Sequence, residues 1–251
     1  MKTNLKKSIG FGLLLLILVA FIGFVEKRHS ERTFAGIEVL VKGVADVYFV
    51  DEKEILTSIE AEFPLLKPGV ALSEINLNHL EKKVEKQPFV KNAEVFSDQK
   101  GNVRIEIEQH VPMARIVRPR AADGYISKEG LILPTSPTYT TRVIVLHGRF
   151  AESLLDQKEL IEENPELLSL IRYIHEDEFW NAQITELEID KLTDIKMHQQ
   201  VGRQVIEFGD ASDFIEKFKK INLFYEEILP AKGWNAYDKV NVKYKGQIVC
   251  E

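Results

Sequence analysis

The sequence predicts an α+β chain: an N-terminal single transmembrane helix, a small β-α-α-β-β domain, then a mixed β domain with flanking helices. Three observations predict it. Ile9 to Val25 is an uncharged apolar run; two helical patterns followed by two alternating strands occupy residues 51–107; and beyond Pro112 short strands recur between turn signals.

The run IGFGLLLLILVAFIGFV has seventeen residues, about 26 Å as a helix at 1.5 Å per residue, slightly short of a hydrocarbon core of roughly 30 Å. Lys6, Lys7, Lys27 and Arg28 flank it and can snorkel to the headgroups. A buried soluble helix would show a polar stripe, and this run has none. A cleaved signal would end in a small-x-small site, whereas this run ends Phe24-Val25-Glu26. The expectation is an uncleaved anchor at 9–25, with a cytoplasmic tail at 1–8 and a juxtamembrane linker at 26–35. Three Lys precede the run and three Lys/Arg follow it closely, so flanking charge alone leaves the orientation a tie. The tail is too short for a function of its own, so the bulk is expected outside the cytoplasm.

Charge excludes one class of partner. The chain of 251 residues carries a net charge of -6, yet residues 1–35 hold six Lys/Arg against two Glu. The rest is therefore more acidic still and would repel a phosphate backbone, so nucleic acid is not an expected partner. Cys250 is the single cysteine, which excludes an intrachain disulfide and a cysteine-built metal site.

The small domain is expected over 36–110. Ile37–Val41 reads as a strand; Asp51-x-x-Glu54 opens a helix that Pro64 stops; Leu77, Leu80 and Val84 mark a second helix ending at Pro88. Phe89–Phe96 is a strand, Asp98–Asn102 a turn, and Val103, Ile105 and Ile107 alternate with charged residues in a half-buried strand. The β domain is expected over 111–251. Helices cover 151–178 with a break at Asn164-Pro165; Asp213 opens an amphipathic helix that Pro230 closes; and Val240, Val242 and Tyr244 alternate with Asn241, Lys243 and Lys245 in a last strand.

Chemistry is sparse. The six histidines are scattered, with no His-Glu-x-x-His pair, and no phosphate loop or nucleophile elbow occurs. No metal, cofactor or catalytic residue is expected. Glu176-Asp177-Glu178 and Glu226-Glu227 could in principle supply the paired acids of a membrane-tethered cell-wall enzyme, the alternative reading, but their positions fit solvated helix faces. The last strand is the feature that stands out. With little sequence beyond it, its edge is expected to offer unpaired backbone N–H and C=O groups to a partner's strand.

Several motifs in order carry a resemblance. Val39-x-x-x-Gly43, Leu77-x-x-Leu80 and Gln87-Pro88-Phe89-Val90-Lys91-Asn92-Ala93 resemble a POTRA domain. Val111-Pro112-Met113-Ala114-Arg115, Tyr125-Ile126-Ser127-Lys128-Glu129-Gly130 and the ending Asn241 to Val249 resemble the bacterial cell-division family FtsQ/DivIB, in its Bacteroidetes-like form. Gln109 stands where many members carry an acid. The resemblance implies a non-enzymatic, single-pass inner-membrane scaffold with its bulk in the periplasm. It implies recruitment of division proteins resembling FtsB and FtsL by strand addition, and contact with other divisome membrane proteins. Carried over, the partner-binding residues are Val242, Tyr244, Lys245, Gly246, Gln247, Ile248 and Val249, with Tyr244 as anchor and Gly246 allowing close backbone approach. A POTRA component of a transport system is the remaining alternative.

Overall fold

The computed structural model describes residues 14–21, 32–42, 49–156 and 160–251. Residues 14–21 are helical and exposed. No helix among the described residues is long and apolar enough to cross a membrane. The rest of the expected anchor, residues 9–13 and 22–25, lies outside the described residues.

Two compact units follow, and residues 50–109 belong to the first. Its elements are β1 (Gly36–Lys42), α1 (Glu52–Glu62), α2 (Leu77–Glu85), β2 (Val90–Ser97) and β3 (Asn102–Gln109). Local chemistry sets the helix starts. Asp51 accepts from Lys53 N at 2.7 Å and Glu54 N at 3.2 Å, and Asn76 accepts from His79 N at 3.0 Å. The sheet order is β1-β3-β2, with β1 parallel and β2 antiparallel to β3. Every second residue of β3, Val103, Ile105 and Ile107, is buried with Ile59 of α1 and with Leu80 and Val84 of α2. Each such side chain contributes about 1.5–3 kcal/mol on burial. The alternation read from sequence therefore belongs to the central strand.

The second unit takes in residues 110–251. A single mixed sheet holds β4 (Pro112–Ile116), β5 (Gly124–Ser127), β6 (Ile132–Pro134), β7 (Ile144–His147), β8 (Ile184–Ile189), β9 (Ile195–Gln199), β10 (Val205–Gly209), β11 (Lys239–Asn241) and β12 (Val249–Cys250). Its order is β12-β11-β10-β9-β8-β7-β4-β5-β6. Helices α3 (Arg149–Ser153), α4 (Leu160–Glu163), α5 (Pro165–Glu176) and α6 (Glu178–Gln183) precede β8; α7 (Phe214–Leu223) and α8 (Leu229–Lys232) precede β11. The inward residues of the strands (Leu146, Leu187, Met197, Ile206 and Phe208 among them) form one core with Leu170, Ile174, Phe218 and Ile221 of the helices.

Two expectations are corrected. Pro230 does not close the last helix: Phe224–Ile228 is π-helical, and the helix resumes as α8 and ends at Gly233, where φ is +101°. The wider register places a residue with no N–H to give where the helix can tolerate it. The last strand is also not continuous. It ends at Asn241, turns through residues 244–246, and returns as β12. Asn241 Oδ1 accepts from Lys243 N at 3.0 Å, so a side chain supplies the bond that a continuing ladder would have made. Turn chemistry overrides the alternation of Val240, Val242 and Tyr244.

A candidate partner-binding rim and the turn that builds it

β11 is an interior strand. It runs parallel to β10 on one side (Val205↔Lys239, Ile206↔Val240, Glu207↔Asn241) and antiparallel to β12 on the other (Val240↔Cys250, Asn241↔Val249). The open edge at this end of the sheet is therefore β12, with β6 at the opposite end.

Hydrogen-bond parity tells which groups that edge offers. Lys239 and Glu251 exchange both backbone bonds, each 3.0 Å. In an antiparallel pair such exchanging positions alternate with positions whose N–H and C=O face away. Val249 and Glu251 therefore turn inward to β11. Cys250, and by the same alternation Ile248, turn their backbone groups outward. Val249 is 37% exposed, so the rim is not sealed.

The residues singled out from sequence divide into three groups. Val242 is buried, and its N–H donates to Glu207 O at 3.1 Å, so it anchors the turn rather than meeting a partner. Tyr244, Lys245, Gly246 and Gln247 are exposed on the turn, Tyr244 at 54%. Ile248 packs partly against the core and Val249 lies on β12. Gly246 has φ +71° with nothing within 4 Å of a Cβ built there. Its immediate task is conformational: it supplies the left-handed residue that reverses the chain.

Two lysines hold the turn. Lys220 of α7 donates to Tyr244 O at 2.9 Å and also to Val242 O, and burial holds its ammonium below the usual lysine range. Lys243 pairs with Asp194 at 2.8 Å and reaches Glu207 at 3.5 Å; its ammonium holds the Asp194 carboxyl below the ordinary carboxylate range. A cleft of about 470 Å³ opens beside the turn, and its charged lining is mixed: Lys217, Lys220, Lys243 and Lys245 with Asp210, Asp213 and Glu216. Lys217 is neutralised by Asp210 at 2.7 Å, whereas Lys245 makes no ion pair among the described residues. The arrangement can take an added strand on β12 and an acidic group beside it.

Sequence reading missed Cys250 and Lys220. Which of two neighbouring amides faces outward depends on the pairing Lys239↔Glu251, and no residue pattern announces it. Lys220 sits on the polar side of an amphipathic helix like any solvated lysine. The expected acid groupings are also now placed. Asp177 accepts from Trp180 N at 2.9 Å as the cap of α6, and Glu226 and Glu227 are exposed on the π-helical segment. No cluster of His, Cys, Asp or Glu among the described residues could hold a metal ion.

Comparison with known proteins agrees with the two-unit division. Residues 34–108 match a POTRA-like domain. No curated protein matches the chain. Residues 111–251, more than half of the sequence, match the family described as FtsQ/DivIB, C-terminal related. The chain therefore belongs to the FtsQ/DivIB C-terminal related family of cell-division proteins, and carries a POTRA-like domain ahead of the family's own.

Proposed function

We propose that this protein is a single-pass membrane scaffold of the division machinery, and that its output is complex assembly. In this reading residues 9–25 anchor it in the inner membrane, the tail at 1–8 is cytoplasmic, and both units project into the periplasm. Partners resembling FtsB and FtsL add a strand to the outer side of β12. The observation that carries the reading is the outward-facing backbone of Cys250 at the edge of a nine-stranded sheet. Tyr244 contributes a large exposed surface beside it at little entropic cost, and Lys245 steers an acidic segment toward it.

Site-specific photocrosslinking in dividing cells tests the proposal. Probes at Tyr244 and Val249 are expected to capture a small division protein. A probe at Leu40, equally accessible on β1 at 46% exposure, is expected not to capture that protein. Empty lanes from both rim positions in dividing cells contradict strand addition there.

A further inference from the structure

A second surface of the 110–251 unit has a different chemistry from the rim. A groove of about 530 Å³ lies between α6, the β9–β10 loop and the π-helical segment, lined by Asp177, Phe179, Trp180, Tyr225, Glu226 and Trp234 together with neutral residues. Phe179 stands edge-on to Trp180 (centroids 4.9 Å apart, planes 73° apart) and to Tyr225 (6.1 Å, 76°), while Trp180 and Tyr225 are only 34° from parallel. Trp180 is buried at 2% exposure and forms the floor, so the ring surface open to a ligand is that of Phe179, 53% exposed, and part of Tyr225. Trp234, 49% exposed, lines the same groove.

The groove is held in shape from behind. Gln183 Nε2 donates to Tyr225 Oη at 3.3 Å, and that hydroxyl donates in turn to Gln199 Oε1. Burial pushes the Tyr225 phenol up to about 12, so it presents a neutral ring. Tyr225 and Glu226 both sit on the π-helical segment, a register break of the kind that often marks functional sites.

The charge of the lining decides what fits. Its ionisable groups are the carboxylates Asp177 and Glu226 and the neutral phenol, with no Lys, Arg or His. Among the described residues Glu226 has no ion pair, and no cation lies over any of the four rings there. Ring faces carry negative charge density and attract cations, most strongly when carboxylates stand beside them. An anion would be repelled, and a purely apolar group would gain nothing from Glu226, the carboxylate not already engaged as Asp177 is in capping α6.

We propose that this groove is a second docking site, and that it takes an arginine or lysine side chain from an extended segment of a partner protein. Its lining differs from that of the cleft beside the rim, which mixes lysines with Asp210, Asp213 and Glu216, whereas this groove carries carboxylates and no base.

The chain's two tryptophans, Trp180 and Trp234, both line the groove, so intrinsic fluorescence of the full chain reads its occupancy. The probes are a short blocked peptide with a central arginine between leucines, and the same peptide with citrulline, which keeps the shape and removes the charge. The arginine peptide is expected to shift the emission saturably, and the citrulline peptide to bind about tenfold more weakly. Glu226→Gln and Phe179→Ala, both at exposed positions, are expected to weaken the arginine peptide severalfold while the far-UV circular dichroism stays unchanged. Equal binding of the two peptides overturns the proposal, as does the absence of any saturable shift. A shift with a trimer of N-acetylglucosamine but not with the arginine peptide overturns it in favour of a glycan.

Discussion

A Cys250→Pro chain is expected to fold and melt as the parent does, yet to lose its partner. Proline removes one N–H and places a ring carbon in its stead. At position 250 that N–H faces away from β11, so no bond within the sheet is lost and stability should stay within about 0.5 kcal/mol. The lost donor and the protruding ring together should weaken an added strand by about 3 kcal/mol, on the order of a hundredfold. Val249→Pro provides the contrast: its N–H faces β11, so that variant should loosen β12 itself and lower the melting temperature. Pull-down from membranes beside thermal melts of both variants checks the pair. The parity of β12 is wrong if Val249→Pro is the silent fold variant and Cys250→Pro the unstable one.

Gly101→Ala is expected to cost about 3 kcal/mol or more, a loss concentrated in the 50–109 unit. Gly101 sits in the β2–β3 turn with φ +90°, where an L side chain is strained, and a Cβ there would stand 2.0 Å from the carbonyl oxygen of Thr33. The clash is with backbone, which cannot swing aside as a side chain would. The same residue accepts at its carbonyl from Ala35 N at 2.9 Å, so relief by moving one segment breaks the approach to β1. Gly246→Ala makes the comparison: its φ is also positive but its surroundings are open, so only the conformational cost of about 1–2 kcal/mol remains. Calorimetry of the full chain should show the transition of the 50–109 unit depressed by Gly101→Ala and little changed by Gly246→Ala.

Much of the fold was legible because local chemistry and pattern agreed. Asp51 and Asn76 cap the helices they precede, Pro165 opens α5, and Val103, Ile105 and Ile107 alternate because one face of β3 is buried against helices. Order within the sheets was not legible. Nothing in Gly36–Lys42 says that it lies parallel to a strand more than sixty residues away, with β3 between it and β2. At the candidate site, alternation from Val240 to Tyr244 read as one strand, whereas Asn241 and Gly246 carried the competing turn signal. The aromatic groove was illegible for a different reason. Its residues lie in four stretches of sequence, and the π-helical register that turns Tyr225 and Glu226 into it leaves no periodic trace.

Amide hydrogen exchange on the full chain, with and without the captured division protein, tests strand addition most directly. Before binding, the amides of Cys250 and Ile248 should exchange rapidly while that of Glu251, bonded to Lys239, is slow. Slowing of Cys250 and Ile248 on binding is the predicted result. Unchanged exchange at both, in a complex shown to be intact, would contradict it and move the docking surface elsewhere.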